Sequence, residues 1–268
     1  MVHAAGQMDE QFFAVPGLTV LREGVPRIPY CSTRERGSFF ENADLCLFAL
    51  PPALHYVQAP FFAWLEPGYA TARMPLFIGG FLILWLTLRL AKTIGVSTGS
   101  IGLAICMLAV SRPLMFTGTT ARPDLLCAAC GLATVWCMHV WNRTDRTLAL
   151  SLSGALAGMG GLFHPVAIVF GIQGFCLAVL KLGTIRQRLA RGFVFAATSV
   201  ATLSLWLPLI ALYPHEFFSQ FGSNVLERRG PGMLQLFFGL GILWYHMRNS
   251  NGSSMNRCSL FFSSGFYA

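Results

Sequence analysis

The chain has 268 residues, 54% of them hydrophobic and only 11% charged, with a mean hydropathy of +0.58. A soluble domain carries roughly 25% charged residues, so this composition excludes an ordinary water-facing surface and implies a polytopic membrane protein. The net charge of +8 would suit a nucleic-acid binder only if the basic residues shared one soluble face. They are scattered between apolar runs, so they orient the chain in a membrane, and no nucleic-acid partner is expected.

The first segment, 1–73, is too polar to span and too apolar for a plain loop. Asp9 and Glu10 stand side by side before a run in which Phe12, Phe13, Leu18 and Leu21 recur at helical spacing. Gly24 stops that helix, with Pro26 and Pro29 beyond it. A second amphipathic stretch reads "PPALHYVQAPFFAWL". Both are predicted as helices lying in the membrane interface.

Membrane spans are predicted at about 74–90, 101–116 (with Arg112 and Pro113 inside it), 125–141 and 193–213, and a shorter one at about 233–245. The apolar stretch at about 148–182 would reach ~52 Å as one helix, against a hydrocarbon core of about 30 Å. Two short spans turning at Gly160, Gly161, His164 and Pro165 fit better. The fold class is therefore all-α, a transmembrane bundle of about six or seven spans. It divides into an outer segment 1–73, a helical domain 74–247 and an irregular tail 248–268.

The segment "KLGTIRQRLAR" is the strongest positive-inside signal and marks the cytoplasmic side. Alternation places Arg89, Lys92, Arg143 and Arg146 on that side too. Among the acids only Asp145 joins them, and the rest gather on the far side. No cleavable signal pattern opens the chain. Of the eight cysteines, Cys127 and Cys130 form a C-x-x-C with no second pair to complete a zinc pattern; helix packing accounts for them.

Candidate functional residues collect on the acidic side. Asp9 and Glu10 suit a helix N-terminus as cap and first-turn acid, or they do chemistry. Pro123 and Asp124 likewise suit a helix start, but Arg122 is disfavoured there. An arginine beside helix N-terminal amides is placed to hold a phosphate, or it reaches lipid headgroups. His164 sits at the turn between two spans, as a turn residue or a functional one. His55 could anchor an interfacial helix. His215 and Glu216 open a later outer loop that ends in Arg228 and Arg229.

The order of these motifs resembles the GT-C glycosyltransferases. An outer Asp-Glu pair precedes an amphipathic helix ending in Gly. "PPALHYVQAPFFAWL" is similar to their Pro-Pro-Leu-x-Tyr segment. "ATARMPLFIGGFL" is similar to their Ala-Arg-x-Pro/Ser span entry, and "TTARPDLLCAACGLATVW" to their Arg/Thr-x-Asp span start. The resemblance covers about 8–182 and points to the protein O-mannosyltransferase and aminoarabinose-transferase-like branch. It implies transfer of a sugar from a polyprenyl-phosphate donor to a lipid, glycan or protein acceptor. Transfer would occur on the extracytoplasmic face of the plasma (inner) membrane, with inversion.

By that resemblance Asp9 is the first-loop acid, a base for the acceptor hydroxyl or a ligand for a divalent metal, and Glu10 supports it. Arg122 holds the donor phosphate, with Asp124, His164 and His55 in the substrate site. Family members place a span before the acidic pair and run to about twice this length, so a truncated or frameshifted product is expected. A transporter-like carrier of a lipid-linked substrate and a non-catalytic membrane partner are the alternatives. Carriers put charge near the midplane and use repeats, whereas here charge gathers at one interface.

Overall fold

A computed structural model describes residues 10–35 and 38–222. Within them every regular element is helical. Asp9, the tail 248–268, the 233–245 segment, Arg228 and Arg229 lie outside the described residues.

Helix α1 (Glu10–Glu23) and helix α2 (Ala53–Trp64) pack against one another and against the start of α3 (Tyr69–Thr93). Gly24 closes α1 at φ +78°, its amide donating to the Val20 carbonyl at 2.9 Å; only glycine adopts that left-handed cap without cost. Inside α1 the close approach falls at Gly17. A β-carbon there would meet Gln58 Oε1 at 2.6 Å and its Cβ at 2.8 Å. The missing side chain lets α2 lie on α1, and Phe13, Ala14, Leu54, Phe62, Ala72 and Leu76 form one buried cluster across all three helices.

The connection between α1 and α2 is irregular but anchored. Ile28, Ala43, Leu47 and Phe48 are fully or almost fully buried. Gln220, from the far end of the described chain, is also buried completely. Its Oε1 accepts from the Phe48 and Ala49 amides at 2.7 and 3.1 Å. Its Nε2 donates to the Glu41 and Cys46 carbonyls at 2.7 and 2.8 Å. One side chain thus satisfies four backbone groups of a loop that has no ladder of its own. The rings of Phe48, Trp206, Phe217 and Phe221 pack on one another, some stacked and some edge to face.

Beyond α3 come α4 (Thr98–Ala109), α5 (Arg112–Thr119), α6 (Asp124–Thr144), α7 (Thr147–Phe163), α8 (Ile168–Leu180), α9 (Ile185–Leu203) and α10 (Leu207–Leu212). By length and composition α3, α6 and the continuous run Ile185–Leu212 can each cross a bilayer, and the pair α4–α5, bent by 49°, can form a fourth span. The bend falls before Pro113, which has no amide to continue the helix. The stretch expected to turn at His164–Pro165 does so: α7 ends at Phe163, a single 3₁₀ turn follows, and α8 begins at Ile168. Each of these two apolar helices is shorter than a full span. The expectation of six or seven spans counted both of them in full, together with the segment near 240. Phe81, Val110, Phe193 and Leu212 are each more than 70% exposed on the outer helix surfaces. Apolar area of that extent suits lipid contact, not water.

Without a hydrophobic drive between helices in lipid, close packing and interhelical hydrogen bonds hold the bundle. The Ser153 hydroxyl of α7 donates to the Thr134 carbonyl of α6 at 3.0 Å. Gly154 and Gly158, spaced as small-x-x-x-small, let α7 meet the α9 backbone; a β-carbon would lie 2.4 Å from the Phe195 carbonyl oxygen and 2.2 Å from that of Ser199. Replacing Gly158 by leucine therefore forces α7 and α9 apart. We expect Gly158→Leu to lower the apparent melting temperature of the detergent-solubilised protein by the equivalent of about 3 kcal/mol or more. Gly102→Ala in α4, which meets nothing within 4 Å, should be neutral or slightly stabilising.

Candidate functional site

The start of α1, the start of α3 and the turn before α6 converge at one end of the bundle. Glu10 and Arg73 are 1% and 4% exposed. Arg73 donates from Nε and Nη2 to the two carboxylate oxygens of Glu10, both at 2.6 Å. The Ala121 amide adds a third bond to Glu10 Oε1 at 3.0 Å. This is a bidentate, charge-assisted pair in a dry setting. It ties three sequence-distant segments to one carboxylate, whose oxygens are occupied by donors.

Next to Ala121 stands Arg122. Its Nε donates to Asp124 Oδ2 at 2.9 Å, and its guanidinium lies 5.9 Å from the centre of the Phe13 ring on α1. About a third of each side chain of this pair remains exposed. Asp124 Oδ1 also faces His164 Nε2 at 4.0 Å. The Val166 amide donates to His164 Nδ1 at 3.2 Å. Nδ1 is therefore the acceptor, and in the neutral ring the proton sits on Nε2, toward Asp124. The thiol of Cys127 faces the His164 carbonyl at 3.9 Å, so the first Cys of the C-x-x-C pair packs against the same turn. The cluster Arg122–Asp124–His164 joins the entry of α6 to the α7–α8 turn.

His55 is not part of this cluster. It is completely buried on α2, outside the membrane-spanning helices, beside the Phe13 backbone and the Gln58 side chain. Neither ring nitrogen has a hydrogen-bond partner, and Gln58 Oε1 has none either. Gln58 Nε2 donates to the Ala72 carbonyl at 3.0 Å, linking α2 to α3. His55 shares no hydrogen bond or ion pair with Arg122, Asp124 or His164. The structure thus does not bring His55 to the other expected substrate-site residues; burial pushes the imidazole down to about 4 and keeps it neutral.

Later outer-loop residues meet the first loop elsewhere at the same end. Asn42 Nδ2 donates to Glu216 Oε1 at 3.1 Å, the Ser219 hydroxyl bonds Glu41, and His215 Nε2 lies 4.0 Å from Glu41 Oε1. These contacts fasten the segment Pro214–Phe221 to the first loop; they do not bring it to Arg122.

Arg73 and Gln58 were missed as site residues by the sequence reading. Arg73 stands in the "ATARMP" span entry, and a charged residue just inside an apolar run demands a partner; that demand was the available signal. Gln58 offered none. A cleft of about 380 Å³ opens beside Arg73, lined among others by Leu65, Glu66, Thr71, Met74, Phe77 and Thr119. Among the described residues no group of three metal-ligating side chains converges; Asp9, the expected metal ligand, lies outside them.

Two outcomes follow. Glu10→Gln and Arg73→Leu should each destabilise by about 3–5 kcal/mol, because each strands a buried charge or donor. The double substitution should recover most of the loss, read as a coupling energy in a thermal-melt double-mutant cycle. Separately, the folded-state value of His55 lies below its unfolded value of 6.5. The unfolded chain then binds more protons between about pH 6.5 and 4. Stability should be full above pH 6.5 and fall by up to about 3 kcal/mol as pH drops to 4. His55→Leu should flatten that window in melts recorded across the same pH range.

A family model described as dolichyl-phosphate-mannose-protein mannosyltransferase matches residues 49–211. No curated protein matches the chain, and no solved structure does.

Proposed function

The chain belongs to the dolichyl-phosphate-mannose-protein mannosyltransferase family, a family of membrane glycosyltransferases with the helical GT-C fold, and we propose that it transfers a sugar from a polyprenyl-phosphate donor to a lipid, glycan or protein acceptor. One observation carries this reading. The buried Glu10–Arg73 pair and the Ala121 amide hold the residue that follows Asp9 against the segment that presents Arg122. Glu10 and the segment carrying Arg122, the cation we assign to the donor phosphate, are thereby fastened to a common end of the bundle.

In this reading Asp9 takes the proton of the acceptor hydroxyl. The acceptor oxygen attacks the anomeric carbon from the face opposite the phosphate. The bond between that carbon and the phosphate oxygen breaks, and the bonding pair leaves on the phosphate. Arg122 meets the charge that grows there, with Asp124 and His164 setting its direction. A single displacement inverts the anomeric carbon and needs one base, not the carboxylate pair of a retaining hydrolase. The cleft beside Arg73 has apolar walls suited to an isoprenoid or acyl chain. The positive-inside rule supports a cytoplasmic basic end and hence, in this reading, a site on the extracytoplasmic face of the cell membrane, with α1 and α2 at the interface.

The test is transfer from a radiolabelled polyprenyl-phosphate mannose donor in membranes that carry the full chain. Asp9→Asn should reduce the rate by 10²–10⁴-fold, and Arg122→Gln by about 10²-fold, with the amount of inserted protein unchanged. Wild-type rates in Asp9→Asn would overturn the assignment of the base. Wild-type rates in Arg122→Gln would overturn that of the phosphate ligand.

A further inference from the structure

The opposite end of the bundle carries a second set of charges that the proposed chemistry does not use. There the ends of α3, α6 and α8 meet the start of α9. Two cations are consumed internally. Lys181 bonds Asp145 Oδ1 at 2.6 Å and the Asn142 carbonyl at 3.1 Å, and lies over the Trp141 ring. Arg191 donates to the Lys181 and Leu182 carbonyls. Asp145 is the only acid of this end among the described residues, and Lys181 already neutralises it.

Among the described residues no acid answers the remaining cations. Arg143 and Arg188 reach only carbonyls, of Thr93 and Gly183, and Arg146 and Arg186 are exposed. Arg186 and Arg188 lie in the opening turns of α9, where a capping box satisfies the Thr184 and Gln187 amides. Cations there oppose the helix dipole, so the local field is more positive than the side chains alone would make it. On the same two turns Ile185, Leu189 and Phe193, spaced four apart, are 73%, 62% and 74% exposed. They form an apolar stripe that no helix of the described residues covers.

An unpartnered apolar stripe beside unanswered arginines at the end of a membrane bundle has one complementary surface. We propose that this end is a docking surface for anionic phospholipid: the headgroup phosphate is held between Arg146, Arg186 and Arg188, and the acyl chains run along Ile185, Leu189 and Phe193. Charge complementarity selects the occupant. A protein partner would have to bring carboxylates to a stripe buried in lipid, whereas an acidic lipid carries both parts in one molecule. Near a membrane surface each such cation contributes roughly a fivefold preference for anionic lipid. The surface stands at the end remote from Arg122 and does not depend on the proposed transfer reaction.

The full chain, purified in detergent, is titrated with phosphatidylglycerol and with phosphatidylcholine of the same acyl composition, and bound lipid is counted by native mass spectrometry. Phosphatidylglycerol should bind at least tenfold more tightly than phosphatidylcholine. Arg186→Gln with Arg188→Gln should remove most of that preference. Arg22→Gln, on α1 at the other end, should leave it unchanged. Raising salt from about 0.05 to 0.5 M should weaken it, since exposed charges are screened over a few ångströms there.

Equal binding of the two lipids by the wild-type chain overturns the proposal whatever the variants do. So does an equal loss in Arg22→Gln, which would mean diffuse attraction. Displacement by inorganic phosphate beyond that caused by chloride at matched ionic strength would overturn the lipid assignment in favour of a free-phosphate site.

Discussion

A carboxylate and a guanidinium locked together in an apolar setting organise this end of the molecule. Glu10 and Arg73 come from helices that are 63 positions apart in the chain, and the Ala121 amide that joins them is 111 positions from Glu10. Taking both charges out of water is expensive, and an apolar pair of equal volume would often hold the helices as well. What apolar contact does not supply is register. A bidentate pair is satisfied at one rotation and one height of α1 against α3, and the Ala121 amide extends that constraint to the entry of α6. Gly17 and Gln58 then set how close α2 may come.

The rest of the bundle obeys the same logic with weaker parts. In lipid the apolar surface of one helix gains nothing by leaving acyl chains for another helix, so approach distance decides. Gly154 and Gly158 bring α7 against the α9 backbone, and Gly174 receives the Phe195 ring. The irregular first loop supplements its own turn hydrogen bonds with four from Gln220. The consequence is a molecule with two unlike ends. One end is built from buried polar fastenings and carries the acids. The other exposes arginines to whatever lies beyond it.

Much of this was legible in the residues. Apolar runs of span length, the glycine that ends α1, and the break at His164–Pro165 are local signals, and each element followed its own chemistry. The association of Arg122, Asp124 and His164 was legible only as a shared side, since two of them are neighbours in sequence and the third comes to them through the α7–α8 turn. The partners of Glu10 were not legible. Nothing local distinguishes an acid in a first helical turn that faces water from one that faces Arg73, because the difference lies in tertiary packing. His55 shows the converse. Histidine among aromatics reads as an interfacial anchor, yet packing between α1 and α2 removes it from solvent altogether. The division of the 148–182 stretch into two short helices was legible because ~35 residues are too long for one span and Pro165 interrupts the run.

Two ion pairs at one end of the bundle differ in how easily they open, and the difference suits the proposed reaction. Glu10–Arg73 is sealed, so separating it would strand charge in a low-dielectric setting at a cost of several kcal/mol. It can hold position through a catalytic cycle but cannot exchange partners during one. Arg122–Asp124 is about one-third exposed on both sides, and such a pair is worth about 0–1 kcal/mol. A phosphate arriving beside Arg122 therefore competes with Asp124 at almost no energetic penalty, and the guanidinium has a second edge free to engage it while Nε stays on the carboxylate. In the proposed reaction the Asp124 carboxylate and the Phe13 ring would keep the cation in place between turnovers. A rigid pair that sets the frame and a loose pair that changes hands is the division of labour that transfer from a phosphate carrier requires, and the two were built here from one acid–base chemistry by burial alone.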